Sequence, residues 1–467
     1  MTAGAADGAD PGPAAGVRLR LYRGGGGAAL GRITLCRDRQ LNALDLAAVE
    51  EVRRHLLDCC SGPHAGVAAV LLDSSTPRAF CAGGDVKSAR AAVLEAPYLD
   101  APPAGHHIHG VFQAEYQTVV VVDELSRRLP VVALCDGIWM GLGFGLAGYA
   151  RHRVVTEATV FAMPENLIGL WPDVGFAWRA ARLASPSLGI YLALTGARVA
   201  SASDLMWLGV ATHYCHSSKV AALREAVEAA PAEADAAVAA HCSDPGGPGP
   251  LRRCAAAVER CFGPLLRYSE AGQTEAGALQ QLMARIEAEL ASPGADDESR
   301  DLLRAALDSM RAVSPGSLAI TLRHFSLVAA AAAEAGAADG SRGAGAAAGG
   351  GGGGSGEGGG GGLSTLRGVM AAEYRMAVRR VAAPDFLEGV RALLVDKDRS
   401  PAWRPASLEG LEASEAAGVA APLPAARGVA GLELGEVDAA LAALDARGRA
   451  AAAAAASAAA AAASRAV

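Results

Sequence analysis

Apolar and polar residues alternate over residues 17–22, which predicts an edge strand. After a glycine-rich turn, Leu30-Gly31-Arg32-Ile33-Thr34-Leu35 follows as its hairpin partner. Leu46, Val49, Val52 and Leu56 then recur at helical spacing, with Asp45 placed to cap the helix N-terminus. Short apolar runs at 67–72, 130–134, 154–155 and 160–161 read as buried strands, the first bounded by Asp73-Ser74-Ser75. Strands alternating with helices over roughly 200 residues predict an α/β core. Past Ser217 the chain turns to Ala/Glu/Arg-rich stretches of helical period, such as 279–290 and 300–310. That half is interrupted at Asp244-Pro245-Gly246-Gly247-Pro248. Order is expected again from Leu366, with 385–391 as a folded segment.

Composition changes this picture at three places. Of 467 residues 57 are glycine, and much of the excess lies in one tract, 349–362. Alanines fill 450–463 apart from Ser457. Such stretches bury too little surface to offset their ordering entropy. The expected organisation is therefore a disordered 1–16, an α/β core over 17–217 and a helical region over 218–328. A flexible Ala/Gly insertion at 329–363, a folded segment at 364–410 and a low-complexity tail at 411–467 complete it. The Ala-rich end reads as a solvated helix or as disorder.

Charge and cysteines narrow the function classes. The net charge of −7, from 42 basic and 49 acidic residues, makes nucleic acid a poor default partner. No uninterrupted apolar run reaches the roughly 18 residues of a membrane span, so no membrane is expected. Nine cysteines without a CxxC pair favour a reducing compartment. Residues 1–16 hold Asp7 and Asp10 but no Arg, unlike a mitochondrial presequence. The end, Ser464-Arg465-Ala466-Val467, is not the SKL-type peroxisomal address.

Three turns carry candidate chemistry. Ala79-Phe80-Cys81-Ala82-Gly83-Gly84-Asp85 links a strand to a helical run. Adjacent glycines there can point backbone N–H groups at an anion, although on this segment alone a plain tight turn is the more ordinary reading. Asp136-Gly137-Ile138-Trp139-Met140-Gly141-Leu142-Gly143-Phe144-Gly145 could supply a second N–H at a helix start, and two such donors are what an oxyanion hole needs. It lacks the setting of a dinucleotide-binding turn. The third, 161–175, places Glu165 and Asp173 in an otherwise apolar stretch. Buried carboxylates of that kind suit acid/base work, with a surface turn and a helix cap as the plain alternatives. Lys87 and Arg90 could meet phosphates or form a solvated face. His106, His107 and His109 fall in a Pro/Gly-rich loop, and His213, Cys215 and His216 cluster after a helix. Neither group has a second ligand pair in metal register.

Taken together, these segments resemble the crotonase (enoyl-CoA hydratase/isomerase) superfamily, and within it the 3-hydroxyisobutyryl-CoA hydrolase family, over about Val17 to Pro405 without the glycine insertion. The resemblance implies a crotonase-type α/β spiral of ββα units with a C-terminal helical region, which in such folds packs homo-oligomers. It implies that Gly84 and Leu142 hold the thioester oxygen through backbone N–H groups. Leu142 departs from the usual glycine; its backbone donor survives, but its bulk narrows the acyl pocket. Gly145 stands where a hydratase carries its first glutamate, whereas Glu165 matches the second. The hydrolase pattern is met by Glu165, Asp173 and Glu115-Tyr116, and by Ser317-Leu318-Ala319-Ile320-Thr321-Leu322 and Val395-Asp396-Lys397-Asp398-Arg399-Ser400-Pro401.

The activity implied by this resemblance is hydrolysis of a short hydroxyacyl-CoA thioester of valine breakdown. Glu165 and Asp173 are expected to be catalytic, with Glu115, Gly83 and Asp85 at the substrate. No metal or other cofactor is expected, since CoA belongs to the substrate. A mitochondrial location is implied by the family, with a peroxisomal or cytoplasmic one as the alternatives. An enoyl-CoA hydratase/isomerase and an inactive crotonase-fold binding module are the alternatives.

Overall fold

The computed structural model describes residues 14–24, 27–62, 64, 66–98, 101–294, 296–340, 362–415 and 431–465. Nearly all of the expected N-terminal disorder and of the glycine tract lies outside them.

The expected hairpin is β1 (Val17–Arg23) against β2 (Ala29–Leu35), antiparallel with Val17 opposite Leu35. Asp45 caps α1 (Leu46–Cys60), its Oδ1 accepting from the Ala48 N–H at 3.0 Å. Thereafter the strands come in pairs, and the two members of each pair join different sheets. These are β3 (Val67–Ser74) with β4 (Ala79–Cys81), β5 (Val131–Cys135) with β6 (Ile138–Met140), and β7 (His152–Val155) with β8 (Val160–Ala162). The larger sheet runs β1-β2-β3-β5-β7-β9, with β9 at His213–Tyr214; the smaller runs β4-β6-β8. From β2 onward neighbours pair in parallel. Helices α2 (Val86–Glu95) and α4 (Leu142–Ala147) leave the ends of β4 and β6. The result is a spiral of ββα units whose two βα turns sit side by side.

Between them runs α3 (His107–Ser126), largely buried, packed on α1 and α4. Its start corrects the expectation of a histidine-bearing loop. His106 caps the helix, its Nδ1 accepting from the Ile108 N–H, and His107 and His109 lie in the first turn.

The C-terminal half is helical as expected, with helices Glu275–Ala291 and Asp297–Ala312 covering the two periodic runs. Two boundaries differ. The helix Pro315–Gly340 continues past 328, the point at which a flexible insertion was expected. Its stretch Pro315–Gly336 is long and apolar enough to cross a membrane, but half of it is buried inside the protein. The tail expected from 411 contains the helix Gly435–Arg465. Its first turns bury Val437, Ala440 and Leu441, and ion pairs Arg53–Glu436, Arg367–Asp438 and Arg128–Asp445 tie it to the body. Alanine composition hides this docking, because a few apolar residues at helical spacing carry it.

Candidate active site

The two βα turns and the segment after β8 meet around a cavity of about 340 Å³. The first turn is fixed to residues 41–44. Leu44 N–H donates to Gly83 O at 3.0 Å, and Asp85 N–H donates to Leu44 O at 2.8 Å. Among the described residues, the Gly84 and Leu142 N–H groups have no acceptor. Leu142 opens α4, where a helix leaves its first N–H groups free. The turns abut: a Cβ on Gly83 would stand 3.9 Å from the Leu142 nitrogen, and one on Gly141 3.6 Å from the Gly83 Cα. Gly141 also has φ 52 and would bring a Cβ to 3.0 Å from Glu165 Oε1, so glycine is needed there twice over. Two free N–H groups on one cavity wall can hold a carbonyl oxygen as it gains charge.

Carboxyls converge on the same wall. Glu115 comes from α3, and its Oε1 lies 3.1 Å from where a Gly84 Cβ would stand. Glu165 opens a short 3-10 helix, Glu165–Ile168, and its buried Oε2 has no hydrogen-bond partner among the described residues. Its neighbour Asn166 anchors it, donating to Ala193 O and accepting from Thr321 Oγ1. Asp173 accepts from the Tyr116 hydroxyl at 2.7 Å. Burial holds the Glu115 and Glu165 carboxyls well above the ordinary range, with the Asp173 charge adding to it. Asp173 is pushed up to about 7 by burial and then by Glu373, against the pull of the Tyr116 hydrogen bond. Like charges in one desolvated space cannot all ionise, so protons are shared within the cluster near neutral pH.

The remaining sequence candidates divide between the cavity and its surroundings. Gly83 and Asp85 line the cavity, but Asp85 commits both carboxylate oxygens to Ser88, through its N–H and its hydroxyl, as the cap of α2. Lys87 also lines the cavity. Arg90 is turned away from it, its Nε donating to Leu387 O. His213 packs against His152 with the two rings tilted, His216 bonds Ser218, and among the described residues no three metal-ligating groups come together.

Three contributions escape sequence reasoning. Tyr116 is the Asp173 donor, whereas the Glu115-Tyr116 pattern points only to its acid. Val381, Phe386, Leu393 and Leu394 from the C-terminal segment close one side of the cavity. Glu373 and His324 stand behind the Asp173 turn, and their distance along the chain leaves no signal.

A model of the enoyl-CoA hydratase/isomerase family matches residues 30–338 and 359–419. The chain belongs to this family. It is a crotonase-family enzyme, as its spiral fold and cavity agree. Among curated relatives, the mitochondrial 3-hydroxyisobutyryl-CoA hydrolase of Danio rerio is 31% identical over 82% of this chain and 84% of its own. The Homo sapiens protein of the same name is 30% identical over 81% and 83%. Among solved structures, an enoyl-CoA hydratase from Rhodobacter sphaeroides 2.4.1 superposes with a TM-score of 0.65 at 30% identity, over 87% of this chain and 98% of its own. A carnitinyl-CoA dehydratase from Mycobacterium thermoresistibile gives 0.67 at 26%, over 90% and 99%.

Gly145 bears on which branch applies. It is buried in α4, and a Cβ there would stand 3.1 Å from Val119 Cγ2 and from Val174 Cβ. A side chain at the place of the first hydratase glutamate is thus crowded by these two valines from its Cβ onward. Gly145→Glu should therefore overpack the core and bury a charge, costing about 3 kcal/mol or more, with no gain in hydration. A lowered thermal midpoint checks this; an unchanged one contradicts it.

Proposed function

We propose that the protein hydrolyses a short hydroxyacyl-CoA thioester, 3-hydroxyisobutyryl-CoA or a close analogue, releasing free CoA. The observation that carries this reading is the juxtaposition of two free backbone donors with Glu165 and Asp173, while the place of the first hydratase glutamate is held by Gly145 and crowded by Val119 and Val174. Gly84 and Leu142 N–H groups would hold the carbonyl oxygen, worth roughly 3 kcal/mol of barrier each. Glu165 would act at the carbonyl carbon, either by taking a proton from water or by direct attack. Asp173, poised near neutrality, would give its own proton to the departing sulfur as the C–S bond breaks, and would regain one from the water that is consumed, whether that water attacks the thioester or opens the Glu165 acyl anhydride. Glu115 would accept from the acyl hydroxyl. CoA arrives with the substrate, and the chemistry draws on no further cofactor. The names of the curated relatives support the substrate class, and their mitochondrial designation supports that compartment.

The enoyl-CoA hydratase reading has in its favour the solved relative from Rhodobacter sphaeroides, which bears that name. One assay separates the two. Purified protein given 3-hydroxyisobutyryl-CoA should release thiol, followed with a thiol reagent, and should leave crotonyl-CoA unhydrated. Hydration of crotonyl-CoA without thiol release would overturn the hydrolase reading, and tight acyl-CoA binding without turnover would indicate an inactive module.

A further inference from the structure

The loop that carries Asp173 is strained. Val174 has φ 48 and Gly175 φ 74; a β-branched residue in the left-handed region persists only where its surroundings hold it. Two contacts do so. Tyr149 hydroxyl donates to Val174 O at 2.9 Å, and Gly175 N–H donates to Glu373 Oε2 at 2.9 Å. Glu373 comes from the helix Leu366–Arg380, far along the chain, and is fully buried. Its other oxygen meets His324 Nε2 at 2.8 Å, and His324, from the helix Pro315–Gly340, is itself buried. Neither side chain lines the cavity. A carboxyl with no exposure costs much to keep, and packing alone does not call for one behind a catalytic loop.

We infer that Glu373, braced by His324, is a positioning residue that fixes the Asp173-Val174-Gly175 turn and faces Asp173 with its charge. The inference rests on the proposed role of Asp173. The groups facing Asp173 are Glu115 and Tyr116 from α3, Glu165 from the segment after β8, Tyr149 beyond α4, and Glu373 with His324 at its back. Of these only Glu373 both bonds the turn and repels a charge on Asp173. Helices on either side of the glycine tract thereby act on the catalytic loop of the α/β core.

Glu373→Gln keeps an acceptor for Gly175 but removes the charge. The midpoint that Asp173 contributes to the kcat–pH profile should move down by roughly one unit, with KM changed less than about threefold. Glu373→Ala, which also loses the acceptor, should lower kcat by roughly 10²-fold through misplacement of the loop. Circular dichroism confirms the fold of each. Amide exchange at Gly175 needs no turnover and should quicken in Glu373→Ala, so it tests the turn even if the wild type proves not to be a hydrolase. Unchanged Gly175 exchange overturns the positioning role. An unmoved midpoint in folded Glu373→Gln overturns the charge role, and failure of both variants to fold would make the pair a stability element alone.

Discussion

Glu165→Gln should lower kcat by roughly 10²–10⁴-fold while leaving KM and the fold nearly unchanged. That loss corresponds to about 3–5 kcal/mol of barrier. Gln matches Glu in shape, and the contacts that seat residue 165 are made by the neighbouring Asn166 and by the main chain, with Leu170 N–H donating to Glu165 O at 3.1 Å. The carbonyl donors on Gly84 and Leu142 are backbone groups that the substitution does not touch. What disappears is the buried carboxyl whose Oε2 has no partner among the described residues, and with it either the acceptor for a water proton or the attacking oxygen. Thiol release at saturating substrate reads the effect, and unchanged turnover would refute the role. The wild type also separates the two chemistries. Label in the peptide bearing Glu165 after a single turnover in heavy-oxygen water would show direct attack, with water then breaking the anhydride at the Glu165 carbonyl carbon and leaving its oxygen there, whereas general-base catalysis sends the label to the product acid alone.

Much of this is legible in the sequence because the relevant physics is local. Strands β3 and β5 announce themselves as short apolar runs, α1 by its period and its Asp45 cap, and the two βα turns by glycines whose backbones must approach one another. Family resemblance supplies the fold, which the family match and the superposed structures show. What escapes is set by contacts across long separations. Helix α3 contains Val119-Val120-Val121-Val122, β-branched residues that argue for a strand by propensity, but burial between α1 and α4 decides for a helix. Asp85 precedes a helix, a position that favours a cap, so its proximity to the glycines suggests substrate although its carboxylate serves Ser88. The partnership of Gly175 with Glu373 joins elements on either side of the glycine tract. Likewise, the meaning of Gly145 is steric: sequence shows that a glutamate is missing, and the fold shows Val119 and Val174 crowding any Cβ there.

Asp173→Asn should abolish most activity and yet stabilise the protein at alkaline pH. The Asp173 carboxyl is raised from 3.8 to about 7 in the folded state. Across that interval the native protein keeps a proton that the unfolded chain has released. Stability associated with this group is therefore fully present below about 3.8, falls as pH rises through the window, and levels off above about 7. Its full span is on the order of 4 kcal/mol. Asn resembles the protonated form and can still accept from the Tyr116 hydroxyl through Oδ1, so its stability should lack this decline. Denaturant midpoints should coincide for wild type and variant near pH 4 and separate in favour of the variant by pH 8. Equal midpoints at pH 8 would show that Asp173 ionises in the fold at no cost, and would remove the basis for its shuttling a proton near neutrality. In the same variant kcat should fall by roughly 10²–10⁴-fold, since an amide cannot relay a proton to the leaving sulfur. Stability gained where activity is lost is expected of a carboxyl kept in the core for its chemistry.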